Sequence, residues 1–394
     1  MNNKKKADLP FLIGGPCTNC NACVQVCPRH CISYKNDVMV LSPSECIDCD
    51  LCASVCPVVN YDTFNFRYPQ TAYAAWSLDP SDRSSSTSGG VASVLYQQAL
   101  QMGWYITGAI YNSDHEAELC VTDQPDMIAQ FKQSKYVYSF SRDCYRKIKD
   151  LLQHNHPVLF IGLPCQVAGL LKYVGEKHSL LTTVDIICHG TPGQNVLRNY
   201  IRARDPACRA SQLTFRSDNE FCFLLRDNKN RKIYRKYGKT DEYLAAFLTG
   251  LDYQEQCYSC RYARPERISD LTIGDFWGLG AKTPFHHPYT GAVSLVLVNS
   301  IEGAKLLAQC KEKLFLEQRE VQEGISGNAQ LQYPTPIPVQ REKFLSCINK
   351  GDSFIKSVRR TLRKEMAQEQ VRHFKHSIRM MGSQIKKALS GRLS

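Results

Sequence analysis

The sequence predicts a small α+β domain at the front, an α/β body behind it, and a basic amphipathic helix at the C-terminal end. Three observations carry this. Four cysteines, Cys17, Cys20, Cys23 and Cys27, recur as Cys46, Cys49, Cys52 and Cys56, each shifted by 29 residues. Continuous apolar strand segments alternate with helical ones from residue 104 to residue 203, the pattern of βαβ units. Residues 353–394 carry 11 Lys and Arg against Glu365 and Glu369 alone, which is +9 of the formal +12. The boundaries read as 1–70, 71–345 and 353–394.

The chain has 394 residues, 43% apolar and 22% charged. That is an ordinary globular composition, long enough to bury a core without disulfide or metal staples. It excludes disordered, collagenous and small disulfide-scaffold proteins. No run of 18 apolar residues exists, so no membrane-spanning helix is expected. The apolar stretch near the N-terminus is short and interrupted by Pro10, Gly14 and Gly15, so no signal peptide is expected and the compartment reads as cytoplasmic and reducing. Outside the tail the charge is nearly balanced, which argues against a nucleic-acid-binding body.

Nine of the 19 cysteines lie within residues 17–56. Both repeats read C-x2-C-x2-C-x3-C-P, with Pro28 and Pro57 closing the runs. This is the spacing of bacterial two-cluster ferredoxins, in which the fourth cysteine of each run serves the other cluster. The expected ligand sets are Cys17, Cys20, Cys23 and Cys56 for one 4Fe–4S cluster, and Cys46, Cys49, Cys52 and Cys27 for the second. Small residues between ligands (Asn19, Asn21, Ala22, Ala53) leave backbone N–H groups free to point at sulfur. A pair of zinc knuckles fits poorly, because zinc sites need a longer gap between ligand pairs. Cys31, just past the first run, reads as a small buried hydrophobe.

The body begins near Thr71. The segment 81–90, rich in Ser and ending Ser88-Gly89-Gly90, leads into an amphipathic helix. That is either an anion-accepting helix start or a plain capped surface helix. Strands are expected at 104–110, 157–161 and 180–187, and helices at 143–153, 167–174 and 194–203, implying a parallel sheet. Ligands of such sheets sit beyond the carboxyl ends of the strands. Cys165 and Cys188 both occupy such ends, each near a helix N-terminus, where thiolate is favoured. Cys257 and Cys260 form a C-x2-C pair before Ser269-Asp-Leu-Thr-Ile-Gly-Asp-Phe-Trp-Gly278. Cys165, Cys188, Cys257 and Cys260 could hold a third cluster or zinc, work as a redox dithiol, or stand as buried unpaired thiols.

His189 and Asp275 are weak catalytic candidates: a proton donor beside Cys188, and an acid that binds a polar group of cofactor or substrate. A satisfied loop histidine and an Asp that merely terminates a strand are the competing accounts. His286 and His287 follow in a loop that could line a pocket. Arg216 and the basic run 229–239 read as a solvated hairpin or an anion-facing surface. In the tail, Val358, Leu362 and Met366, then Phe374 and Ile378, then Met381, Ile385 and Leu389 recur every four residues. A basic amphipathic helix of this kind could make peripheral contact with an anionic membrane, dock a partner, or fold back on its own chain.

The ordered set STSGGVASVL, QSKYVYS, FIGLPCQVAGL, ICHGTP, C-x2-C and SDLTIGDFWG resembles the beta subunit of coenzyme F420 (deazaflavin) hydrogenase/dehydrogenase, in the bacterial form with a fused two-cluster ferredoxin, from about residue 10 to residue 345. The resemblance implies an α/β flavin-binding body holding FAD. Ser88, Gly89 and Gly90 would line the flavin phosphate region, with Lys135 contributing to the site. It favours the third cluster on Cys165, Cys188, Cys257 and Cys260. It implies an oxidoreductase that exchanges electrons between iron–sulfur clusters and flavin, with a redox partner protein or a small-molecule acceptor, and a place in polysaccharide biosynthesis. Two other functions remain open: an electron-transfer subunit without its own substrate, and a non-catalytic component of a polysaccharide assembly system.

Overall fold

The computed structural model describes residues 5–35, 37–175, 178–217 and 220–375. Among the described residues, thirteen strands run in chain order. The first seven are β1 (Ile32–Lys35), β2 (Val38–Leu41), β3 (Thr71–Ser77), β4 (Tyr105–Tyr111), β5 (Ala117–Thr122), β6 (Val158–Gly162) and β7 (Leu181–Ile186). The others are β8 (Ala210–Ser217), β9 (Glu220–Asp227), β10 (Lys232–Tyr237), β11 (Leu271–Asp275), β12 (Ser294–Val298) and β13 (Leu314–Arg319). The chain divides into two compact units, one of residues 1–198 and 253–336, the other of residues 199–252 and 337–394.

The first unit is built on an eight-stranded sheet in the order β13-β3-β12-β11-β7-β6-β4-β5. Only its centre is parallel: β4 with β6, β6 with β7, and β7 with β11. The parallel sheet expected from the alternation is thus the centre of a larger mixed one. Residues 104–187 do form parallel crossover units, but β5 turns straight back on β4, and β12, β3 and β13 add antiparallel strands from distant parts of the chain. Two antiparallel steps restore direction, so β3 runs the same way as β4, β6, β7 and β11. Their carboxyl ends share one edge; Asp275 ends β11 there, and the segments leaving that edge carry Ser88–Gly90, Cys165 and Cys188.

Both faces of the sheet are covered. Leu159 and Ile161 of β6 pack with Val91, Val94, Leu95 and Ala99 of helix Val91–Gln101 and with Leu306 and Leu307 of helix Ile301–Gln309. The alternate residues Val158 and Phe160 pack with Tyr145, Ile148 and Leu152 of helix Cys144–Gln153 and with Val167, Ala168 and Leu170 of helix Pro164–Val174. The two-residue period of a strand buried on both sides produces this division. Helix Pro164–Val174 starts where Pro164 fixes φ at its first position, a placement that sacrifices no helical hydrogen bond.

The cysteine-rich segment keeps its repeat in three dimensions. Helices Ala22–Val26 and Leu51–Ser54 begin after left-handed residues Asn21 (φ 63°) and Asp50 (φ 57°), and Asn19 and Asp48 are also left-handed. Asn and Asp tolerate this conformation better than other non-glycine residues. The segment is fastened to the sheet. Cys20, Ala22 and Val55 enter the core formed by the helices over β6. Gln25 accepts the N–H groups of Tyr145 and Arg146 at 3.0 and 3.2 Å, Ser141 donates to the Cys20 carbonyl at 2.8 Å, and Tyr34 meets Phe140 edge-on.

The second unit contains the three-stranded meander β10-β9-β8 and helices Glu242–Leu248, Arg341–Asn349 and Phe354–Thr361. Asp241 caps helix Glu242–Leu248 through the Leu244 N–H. Val358, Leu362 and Met366, the start of the apolar stripe in the tail, are buried with Ala245, Leu251 and Phe344. The stripe therefore faces this unit's own core over its first turns. Helical backbone continues over 363–375, where Phe374 is exposed. Ile378, Met381, Ile385 and Leu389 lie outside the described residues. Among the described residues, no helix is long and apolar enough to cross a membrane.

Candidate metal centres and cofactor site

Among the described residues, cysteine side chains wall three cavities. The first is lined by Cys17, Cys20, Cys23 and Cys56 together with Leu9, Thr18 and Val58. The second is lined by Cys27, Cys46, Cys49 and Cys52, with Cys31 and Lys6 on the same wall. The crossed sets follow from the repeat: the loop entering each short helix and the helix itself present three thiols, and the chain leaving it delivers the fourth to the other copy. Asn19 N–H lies 3.5 Å from Cys17 Sγ, a backbone donor to sulfur of the kind the small intervening residues allow.

The third cavity lies at the carboxyl edge of the sheet. Cys165 enters it from the first turn of helix Pro164–Val174, Cys188 from the loop after β7, and Cys257 and Cys260 from the 3-10 turn Glu255–Ser259 and its end. Gly190 allows the Cys188 loop to fold tightly: its φ is 116°, and a Cβ there would stand 2.3 Å from the Tyr253 ring. Its N–H lies 3.4 Å from Cys188 Sγ. Arg267 also lines this cavity, buried, donating to Asp185 and to the carbonyls of Tyr262 and Arg264.

The donor sets suit a cube of iron and sulfide: a cube needs one thiolate at each of four corners, and each cavity has at least four thiols in its wall, the second having Cys31 as a fifth. Among the described residues, no three His, Cys, Asp or Glu side chains close on a point suited to a single ion. On the wall of the third cavity, Tyr138 and Tyr262 bury hydroxyl groups that have no hydrogen-bond partner among the described residues. Such donors call for acceptors in the space they line, and cluster sulfurs are acceptors.

Burial dominates the acidity of Cys17, Cys20, Cys165 and Cys188. It pushes Cys165 well up and Cys188 up to about 12, with further contributions from neighbouring cysteines. It likewise raises Cys17 to about 11 and Cys20 to about 12. The thiolate character expected for Cys165 and Cys188 from helix N-termini is thus outweighed by desolvation, and Cys188 stands six residues ahead of helix Gln194–Arg204. Metal coordination deprotonates such thiols outright. Cys27 is shifted the other way. Desolvation acts to raise it, but hydrogen bonds from the Cys31 thiol and from the backbone of Cys31, Arg29 and Ile32 bring it below its ordinary value. Cys31 is buried as expected, yet it lies 3.3 Å from Cys27 Sγ and so is more than packing.

The residues that the resemblance assigns to flavin come together elsewhere on the same edge. Ser294 on β12 receives the Gly89 N–H at 2.9 Å and donates to Ser88 at 3.0 Å; its register partner on β11 is Asp275. Ser134 N–H donates to Thr87 at 2.9 Å, which brings the 133–139 segment against the 86–90 segment. Gly90 is left-handed and precedes helix Val91–Gln101, whose N-terminus has no side-chain cap. Its free N–H groups suit a phosphate, and Lys132, paired with buried Asp82, adds a cation. Lys135 sits differently: its ammonium donates to the carbonyls of Gln130, Phe131, Lys132 and Gln133. Burial pulls its pKa down to about 7, while the four carbonyls favour the charged form. It shapes the loop through those bonds. His189 lines the four-thiol cavity, where its carbonyl accepts from Thr335, whereas Asp275 is not among the residues lining it.

Sequence reasoning missed Arg267, Tyr138, Tyr262 and Gln25. Arg267 stands just before the SDLTIGDFWG motif, in a segment with Arg261 and Arg264, and nothing in its neighbours distinguishes the one that is buried.

Residues 156–324 match the family model for the C-terminal part of the coenzyme F420 hydrogenase/dehydrogenase beta subunit, and residues 16–60 match the 4Fe–4S dicluster domain. The chain is an iron–sulfur electron-transfer protein. Over residues 156–324 it is similar to the coenzyme F420 hydrogenase/dehydrogenase beta subunit, with a dicluster domain in front. Among solved structures, a chain of the F420-reducing NiFe hydrogenase complex from Methanosarcina barkeri is similar at 14% identity and a TM-score of 0.44, over 73% of this chain and 96% of that one. No curated protein matches.

Proposed function

We propose that this chain is an iron–sulfur flavoprotein oxidoreductase of the cytoplasm. Two 4Fe–4S clusters would be held by Cys17, Cys20, Cys23 and Cys56 and by Cys46, Cys49, Cys52 and Cys27, within a domain of residues 1–70. A third would be held by Cys165, Cys188, Cys257 and Cys260 in the body, residues 71–345. FAD would take the Ser88–Gly90 helix start and supply the change between one-electron transfer and hydride chemistry. The observation that carries the reading is the four-thiol cavity at the carboxyl edge, on the same edge as that helix start. His189 and Asp275 are the candidates to hold a proton beside the acceptor. An organic acceptor drawn from polysaccharide biosynthesis is the substrate class proposed, and anaerobic screening of sugar intermediates, quinones, nicotinamides and deazaflavins against reduced protein tests it.

Reconstitution without oxygen, using iron, sulfide and FAD, should give about twelve irons and one flavin per chain. Zinc in place of iron, or no retained flavin, overturns the proposal. Retained flavin without turnover on any acceptor favours the electron-transfer subunit.

For the tail, 353–394, the proposal is a peripheral contact with an anionic membrane surface. Val358, Leu362 and Met366 are committed to the core, so the deletion that tests it removes only residues 376–394. Flotation with vesicles containing anionic lipid should fall on deletion; unchanged flotation ends the membrane role.

A further inference from the structure

The two ferredoxin-type cavities are not equivalent with respect to the four-thiol cavity of the body. Thr18 and Val58 line both the Cys17/Cys20/Cys23/Cys56 cavity and the Cys165/Cys188/Cys257/Cys260 cavity. One layer of side chains therefore separates them. Among the described residues, none lines both the body cavity and the Cys27/Cys46/Cys49/Cys52 cavity. Cys20 presses on Gly169 of the helix that carries Cys165: a Cβ at Gly169 would stand 2.8 Å from Cys20 Cβ and 3.0 Å from its Sγ. Tyr138, Tyr145 and Tyr262, all buried, each interact electrostatically with both Cys20 and Cys165. At the other end, Cys49 is exposed, and Ile47 and Leu51, which line its cavity, are exposed as well.

We infer that the three centres are wired in a fixed order, with the Cys46/Cys49/Cys52/Cys27 centre as the outer port, the Cys17/Cys20/Cys23/Cys56 centre as the relay, and the four-thiol centre of the body as the inner terminus reached across Thr18 and Val58. The inference rests on the proposed function, which supplies the clusters. Each electron then crosses two gaps singly, and no bond forms or breaks. The sequence repeat is symmetric, and the asymmetry arises at the second cysteine of each run: Cys20 is buried in the core of the body, whereas its counterpart Cys49 is exposed. Ala22, which opens the first short helix, is buried in that core and Gln25 caps a helix of the body, whereas Leu51, the counterpart of Ala22, is exposed; Val26 and its counterpart Val55 both pack against the body.

Paramagnetic resonance on the fully reduced, reconstituted full chain tests the order. Neighbouring reduced clusters broaden one another's signals and speed their relaxation. In C49A, which removes the outer centre, the body signal should keep its broadening. In C23A, which removes the relay, the body signal should narrow to that of an isolated cluster. The reverse pattern, or equal broadening in both variants, overturns the order. If C23A does not fold, stepwise reduction of the unaltered chain gives the same readout: the body signal should broaden in the step that reduces the cluster surviving in C49A, and broadening in the other step overturns the order. Eight irons and no third signal in the unaltered chain remove the proposed third cluster itself, which is a different failure from a wrong order among three signals.

Discussion

Arg267 donates to one carboxylate oxygen of Asp185, through Nε at 3.2 Å and Nη2 at 2.8 Å, and both side chains are buried beside the four-thiol cavity. The other oxygen of Asp185 has no partner among the described residues. Arg267, and not Asp185, lines the cavity, so the proposed centre would have the cation of the pair as its nearer neighbour. A cation favours the reduced, more negative state and raises the reduction potential. Removing it with R267Q should lower the body centre's potential. At an effective dielectric constant of about 20 and a separation on the order of 6 Å, the interaction is about 3 kcal/mol, roughly 100 mV for one electron. The single variant also leaves Asp185 buried and unpaired, a loss of about 3–5 kcal/mol in stability. The double variant R267Q/D185N should recover much of that stability and part of the potential. A redox titration followed by paramagnetic resonance reads both shifts; an unmoved potential in R267Q shows that the pair is structural.

Gly169 is required by geometry: the helix can approach Cys20 only where no Cβ intervenes. G169A forces the cysteine-rich segment away by several tenths of an ångström. Overpacking of this kind costs about 1–3 kcal/mol. The expected outcome is lower thermal stability with iron content at the first centre maintained, because the four thiols of that centre move together. Thermal melts and iron analysis on the same preparation check it. Unchanged stability would mean that the junction between Cys20 and the helix is loose.

Gln25 supplies a cap from outside the helix it caps. Its side-chain oxygen takes the N–H groups of Tyr145 and Arg146, and its amide donates to Ser141 at 3.0 Å. Capping interactions are worth about 1 kcal/mol. Q25A should lose about that amount, and hydrogen exchange should rise at the first turn of helix Cys144–Gln153 without rising in its last turn. Q25E keeps the acceptor and should restore protection at Tyr145 and Arg146. Equal exchange in Q25A and the unaltered chain refutes the cap.

These interactions mark where the sequence stops being legible. The cysteine runs could be read because ligand spacing is local: three thiols and a fourth are set by the backbone between them. Strands β6 and β7 could be read because burial on both faces leaves an unbroken apolar run, and they were placed to within a residue or two at each end. The sheet order was not legible, since β3, β12 and β13 join it through contacts far apart in the chain, and each short apolar strand would fit several neighbours. Periodicity found the helix at Val358, Leu362 and Met366 but could not say what its stripe covers. That stripe meets Ala245 and Leu251, residues more than a hundred positions away. Gln25 and Arg267 are polar residues whose importance lies in being buried against a partner that no local pattern reveals.

Asp241 gives a pH dependence with a definite sign. It is wholly buried and accepts from the Tyr200 hydroxyl at 2.6 Å, the Tyr234 hydroxyl at 2.9 Å and the Leu244 N–H at 2.9 Å. Desolvation raises its carboxyl to about 6, against the opposing effect of those hydrogen bonds. Below about pH 4 the carboxyl is protonated in both folded and unfolded chains, and the group's stabilisation is complete. Between about pH 4 and pH 6 the unfolded chain has lost the proton that the folded chain retains, so stability falls as pH rises, by about 3 kcal/mol over the window. The adjacent Glu242 behaves oppositely. Despite desolvation, hydrogen bonding from Arg359 and the charges of Arg204 and Lys236 hold it below its ordinary value, so its contribution is lost as pH falls. Because both carboxylates titrate in the same unit, the informative quantity is a difference between variants. D241N retains an oxygen for Leu244 and an amide for the tyrosine oxygens, and it cannot titrate. The stability of D241N relative to the unaltered chain, followed from pH 4 to pH 7, should therefore rise with pH and level off above about 6. A difference that stays flat across that range means that Asp241 is ionised in the folded protein at pH 4, and that the two tyrosines and the helix N-terminus are enough to hold a buried carboxylate.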